Sequence, residues 1–227
     1  HFFDSFLTDE KYALTCLNAA ADAGADTLVL CDTNGGTMPD TVFRIVKTVT
    51  EKFSSLRIGI HAHNDCGMAV ANSVMAAQAG ATHVQGTFLG FGERCGNANL
   101  STIIANLSLK GHAGCRCHLE QLTSAAKSIA EIANLVLPSH MPYVGNAAFS
   151  HKAGMHVDAV IKDSDSFEHI DPRKVGNDTH LILSEFSGKS AIIAKLSLLF
   201  PDLDKSNPKV QEILNRVKEL ENEGLKD

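Results

Sequence analysis

Residues 57–65, Arg57-Ile58-Gly59-Ile60-His61-Ala62-His63-Asn64-Asp65, decide the fold. A short apolar run that stops on hydrogen-bonding side chains marks a buried strand whose carboxyl end faces a ligand. Two companions flank it. Thr27-Leu28-Val29-Leu30-Cys31 runs into Asp32-Thr33-Asn34-Gly35-Gly36, and Thr82-His83-Val84-Gln85-Gly86 runs into Thr87 and a glycine-rich loop that reaches Asn97. Amphipathic segments over about 9–23, 39–53 and 68–79 precede the three runs and read as helices.

Strand starts recur roughly every 25 to 30 residues, the spacing of parallel strands joined by crossover helices. The expected class is therefore α/β. Polar residues at every strand end favour a TIM (β/α)8 barrel, in which all strand ends converge on one mouth, over a doubly wound sheet. Counting a further strand ending in His1–Ser5, four of eight strands are visible, so the chain reads as the carboxyl-terminal half of such a barrel, beginning mid-domain. An apolar helix over 97–110 completes this half. The expected organisation is a barrel half over 1–118 and a mainly helical linker subdomain over 119–227. Helices in the second part are expected over 119–135, 151–161, 189–199 and 209–221, with a turn-rich boundary at Pro138-Ser-His-Met-Pro142.

Composition narrows the function. With 44% hydrophobic and 20% charged residues among 227, the chain has enough apolar surface for a real core. A formal charge of −6 without any concentrated Lys/Arg cluster argues against nucleic acid or an anionic membrane as partner. No run approaches the length of a membrane-spanning helix, and no signal peptide is visible, so a cytoplasmic location is expected. The six cysteines are scattered, as reduced thiols usually are, and Cys115-Arg-Cys117 lacks the usual zinc-ligand spacing.

His61 and His63 stand two apart at a strand end, so both rings face one side of the sheet. Two neutral imidazoles so placed suit a divalent metal; the alternative is a pair of half-buried histidines satisfied by backbone groups. Asn64 and Asp65 can orient the rings. In the loop Gly90-Phe-Gly-Glu93-Arg94-Cys95-Gly96-Asn97-Ala98-Asn99, Asn97 offers a hard oxygen, and Arg94 with the following helix start offers donors to an anion. The alternative there is a glycine-rich turn in which Glu93 and Arg94 pair with each other.

Taken together, His61-Ala-His63-Asn64-Asp65, the Gly90–Asn97 loop, Pro142-Tyr-Val-Gly-Asn-Ala-Ala-Phe-Ser-His151-Lys-Ala-Gly-Met-His156 and Glu168-His-Ile-Asp-Pro172 resemble the isopropylmalate, homocitrate and citramalate synthase family. The resemblance implies a metal-dependent enzyme that condenses acetyl-CoA with a 2-oxoacid. Cys31-Asp32-Thr33-Asn34-Gly35-Gly36-Thr37 resembles the branch that uses pyruvate, which implies (R)-citramalate and CoA as products, on the way to isoleucine. Isopropylmalate or homocitrate synthesis are the alternatives within the family. A metal-dependent acyl-CoA lyase is a rival outside it, although the related lyases carry a Gly-Gly-Cys loop where this chain has Glu93–Asn97; a chain without chemistry of its own is the other rival.

By the same resemblance His61 and His63 bind the metal with an aspartate from upstream, Asn97 sits at or beside that metal shell, and Thr33 bonds the 2-oxoacid carboxylate; Arg94, as an anion donor, and His151, as support or a CoA-side contact, are counted with substrate binding. The resemblance puts His156 in the catalytic set, with a glutamate upstream of His1, and Glu93 is counted with it. Phe167 departs from the family's usual tyrosine, which removes a hydroxyl. A homodimer is implied for the full-length protein, and this stretch by itself is expected to be inactive, because its ligands and base are divided across its start.

Overall fold

The computed structural model describes residues 3–111, 115–151, 168–182, 188–196, 200, 203–204 and 206–225. Two compact units emerge, one of His1–His118 with Ser128–Asn134, the other of Leu119–Lys127 with Leu135–Asp227.

The first unit alternates helix and strand. Helix α1 (Phe3–Thr8) stands where a strand was expected. Phe3 and Phe6 explain the difference: three residues apart, they bury on one face, which only a helical period allows. Helix α2 (Glu10–Asp22) is capped by Asp9, whose carboxylate accepts from the Tyr12 amide at 2.9 Å. Strand β1 (Thr27–Asp32) alternates half-buried and buried positions. Helix α3 (Pro39–Lys52) starts on a proline that needs no amide partner, and buries Val42, Ile45, Val46 and Val49 along one stripe. Strand β2 (Arg57–Ala62), helix α4 (Ala69–Gln78), strand β3 (His83–Gln85) and helix α5 (Leu100–Leu109) complete the run.

The three strands pair in parallel in the order β1-β2-β3, with no reversal of direction across the sheet. Barrels wind one way throughout, and the order here agrees with that, as it also would with one half of a doubly wound sheet. Register sets the faces. Leu28, Leu30, Ile58 and Ile60 lie in the core with Ile45, Val46 and Val49 of α3, each such burial contributing about 1.5–3 kcal/mol. Cys31, His61 and Gln85 form one row across the strands and so point to the opposite face.

In the second unit, strand β4 (Ser150–His151) pairs in parallel with strand β5 (His180–Leu181). His151, expected to open a helix, is thus a strand residue, and 152–161 lie outside the described residues. A 3-10 turn at Leu119–Gln121 leads into helix α6 (Leu122–Ile132), whose residues up to Lys127 are counted with this unit, and the Thr123 hydroxyl donates to the Val175 carbonyl at 2.7 Å. Helices α7 (Lys189–Leu196) and α8 (Pro208–Asn222) pack through Ile192, Val210 and Leu214. Among the described residues no helix is long and apolar enough to cross a membrane.

Candidate functional site

The carboxyl end of β2 meets two neighbouring loops. His61 is the penultimate strand residue, and His63 lies just beyond Ala62, where it forms an isolated antiparallel bridge with Asn97. Residues opposed in such a bridge project to the same face, so the amide of Asn97 and the ring of His63 share a side. The backbone fixes this arrangement from both directions. The His63 amide donates to the Asp32 carbonyl at 3.1 Å, the Asn64 amide to Gly96 at 2.9 Å and the Ala98 amide to Ala62 at 2.9 Å.

Nε2 of His61 lies 3.4 Å from Nε2 of His63, with the rings inclined at 62°. Two imidazole nitrogens about 2.1 Å from one tetrahedral ion are about 3.4 Å apart, so the observed separation is compatible with a shared cation as well as with a hydrogen bond between the two rings. Burial lowers the pKa of His61 below its ordinary value, the nearby His63 lowers it further, and a hydrogen bond with Gln85 opposes both. A neutral imidazole keeps the lone pair a metal needs.

Asn97 is oriented by its own side-chain nitrogen, which donates to the Phe91 carbonyl at 2.9 Å. Its Oδ1 is buried without a hydrogen-bond partner, as is His63 Nδ1. A buried carbonyl oxygen left unpaired costs free energy unless something else satisfies it, and an oxygen-seeking cation is one answer. The donors present fit part of a divalent shell: two imidazoles and an amide oxygen. Among the described residues no group of three or more His, Cys, Asp or Glu is placed to hold a metal, so a cation held here would need a further ligand from outside them.

Around these donors the loops are locked. Arg94, expected to meet substrate, donates from Nε and Nη2 to the two Asp65 oxygens at 2.8 and 3.0 Å, and from Nη2 to the Thr33 carbonyl at 2.6 Å. Its guanidinium hydrogen bonds hold Asp65 below the usual carboxylate range. Thr33 itself is half-buried at the end of β1. Glu93 projects into solvent with 85% of its side chain exposed, 3.8 Å from Arg94, and is not brought to the histidine pair.

Asp32 was not singled out from sequence, yet it is fully buried at the end of β1. It accepts from the Thr37 hydroxyl at 2.8 Å and from Asn72 Nδ2 at 3.3 Å, and that same nitrogen donates to the Thr37 carbonyl at 2.8 Å. The signal was available: an acid at an inward position of an alternating strand must find partners. A cavity of about 550 Å³ lined by Val84, Leu100, Ile103 and Leu107 is apolar and includes none of the candidate residues.

In the second unit, His151 Nε2 lies 3.2 Å from the Glu168 carboxylate, which also accepts from the Thr179 hydroxyl at 2.6 Å. His156 and Phe167 lie outside the described residues.

Residues 143–225 match the homocitrate synthase post-HMGL domain-like family. The (R)-citramalate synthase of Aquifex aeolicus is 47% identical over 226 residues, covering 99% of this chain and 43% of the relative. That of Synechocystis sp. is 46% identical with the same coverages, and a probable 2-isopropylmalate synthase of Methanosarcina mazei is 36% identical over 97% of the chain and 43% of the relative. The chain thus spans less than half the length of these curated relatives. Among solved structures, the HMG-CoA lyase of Bacillus subtilis superposes with a TM-score of 0.50 at 32% identity, over 56% of this chain and 44% of that one. An HMG-CoA lyase of Acinetobacter baumannii gives 0.52 at 21% identity, over 59% and 45%, and bears on the fold alone. Residues 2–136, which hold β1, β2, β3 and the His61–His63–Asn97 site, match the HMGL-like family, and the chain belongs to it.

Proposed function

We propose that the full protein condenses acetyl-CoA with pyruvate to give (R)-citramalate and free CoA, and that this chain supplies most of its divalent-metal site. The single observation that carries the reading is the convergence of two imidazole nitrogens 3.4 Å apart with the opposed amide of Asn97, whose oxygen is buried and unpaired. Relatives named (R)-citramalate synthase, matched along nearly the whole chain at 46–47% identity, support pyruvate over larger 2-oxoacids.

His61, His63 and Asn97 would hold the cation. When bound, the cation polarises the keto carbonyl of a chelated 2-oxoacid, as a Lewis acid does. Held neutral by burial and by its neighbour, His61 presents a lone pair at physiological pH. The hydroxyl of Thr33, at the end of β1, is assigned to the substrate carboxylate. His156 is assigned to removing a proton from the acetyl methyl group, a task for a base titrating near neutrality. A homodimer and a cytoplasmic location belong to the same proposal.

The test is CoA thiol release by the full-length protein. Release from acetyl-CoA on adding pyruvate, with (R)-citramalate formed, is expected. Preference for a branched 2-oxoacid would move the protein to the isopropylmalate branch, and acetoacetate from hydroxymethylglutaryl-CoA would make it a lyase.

A further inference from the structure

We propose that Arg94 is a positioning residue, not a substrate receptor: its guanidinium ties three strand-end loops into one rim and so sets Asn97 against the histidine pair. The inference rests on the metal reading above. The loop after β1 contributes the Thr33 carbonyl, the loop after β2 contributes Asp65, and the loop after β3 contributes Arg94 itself, three residues before Asn97.

Two observations show that this tie is built in. Arg94 adopts a left-handed backbone, φ 55°, which a residue with a side chain occupies only when its surroundings hold it there. Asp65, in turn, sits where only a glycine neighbour leaves room: a Cβ at Gly35 would lie 2.3 Å from Asp65 Oδ2. Gly35 also accepts from the Cys66 amide at 3.1 Å, joining the first two loops a second time. An incoming carboxylate would have to displace a two-pronged partner of the same charge from the same fork, which makes Arg94 a poor receptor. As a brace it suits its place. Asn97 is on a loop, loops move, and metal donors need placement to a fraction of an ångström.

The experiment compares Mn2+ affinity, measured by electron paramagnetic resonance, and KM for pyruvate in the full-length protein and its Arg94→Ala, Arg94→Lys, Asp65→Asn and Arg94→Ala/Asp65→Asn variants. Circular dichroism and melting monitor the fold. Arg94→Ala and Asp65→Asn should each weaken Mn2+ by up to about 10-fold, at or below the low end of the loss seen when a partner bonded directly to a ligand is removed. The double variant should be no worse than either single one, because both break one tie. Arg94→Lys, which keeps the charge without the fork, should fall between. A rise in KM with Mn2+ affinity unchanged would make Arg94 a receptor and overturn the proposal, as would additive effects in the double variant. Loss of fold in both Arg94 variants would also overturn it, by making the residue a folding determinant. Absence of Mn2+ binding in the unsubstituted protein would sink the metal reading and this inference together; binding that the variants leave intact would sink this inference alone.

Discussion

His63 and Asn97 oppose one another across an antiparallel bridge although one follows β2 and the other follows β3. In an otherwise parallel unit this reversal brings the end of one βα repeat back over its neighbour. An imidazole and an amide 34 positions apart in sequence become one surface.

Replacing either imidazole should remove cation binding without removing the fold. His61→Ala and His63→Ala in the full-length protein are expected to weaken Mn2+ by more than about 100-fold, beyond the loss typical of an outer partner. The half-buried rings carry little of the core, so melting should change little. Isothermal titration with parallel melts checks both halves of the statement.

Acid should weaken the folded state through His61. Its pKa is lowered from 6.5 on folding, so below pH 6.5 the unfolded chain takes up the proton more readily. The stability this group contributes is complete above pH 6.5 and declines as pH falls through the lowered folded value. Melting of the metal-free protein between pH 8 and pH 5 should therefore fall more steeply than that of His61→Gln. Parallel curves would contradict it.

Gly96→Ala should be costly. At φ 87° an added Cβ would meet the Gly90 carbonyl oxygen at 2.0 Å, a backbone atom that cannot swing aside. Left-handed backbone alone costs a side-chain-bearing residue roughly 1–2 kcal/mol, so urea unfolding should register at least that. The loop shift should also weaken Mn2+ binding, because Asn97 is the next residue.

Glu168→Ala should destabilise the second unit. The carboxylate is 2% exposed and serves both the half-buried His151 and the exposed Thr179, so its removal breaks two hydrogen bonds. Each lost hydrogen bond costs about 0.5–1.5 kcal/mol, which chemical unfolding can measure.

Much of the first unit was legible from the chain because its signals are local. The stripe Val42, Ile45, Val46 and Val49 writes a helix, and alternation writes β1. Helix α1 was misread as a strand because apolar density at Phe2-Phe3 outweighed the three-residue spacing of Phe3 and Phe6. Strands β4 and β5, two residues each, are too short for any period to show. At the site, the histidine pair declared itself through spacing. The fate of Arg94 did not, since Asp65 lies 29 positions away and no local pattern says which carboxylate a guanidinium will choose. The inward place of Asp32 called for some partner, but that the partner is Asn72, 40 positions away, was hidden for the same reason.

The anchoring of the Asn97 side chain through its nitrogen to the Phe91 carbonyl means that the alignment depends on the amide staying an amide. Hydrolysis of that one amide, a change of NH2 for oxygen, would set a negative charge against a carbonyl dipole where a hydrogen bond had been. The extra charge, which in isolation would attract a cation more strongly, would arrive on a side chain that has lost its tether. A deamidated molecule would thus keep every candidate ligand and lose the alignment between them.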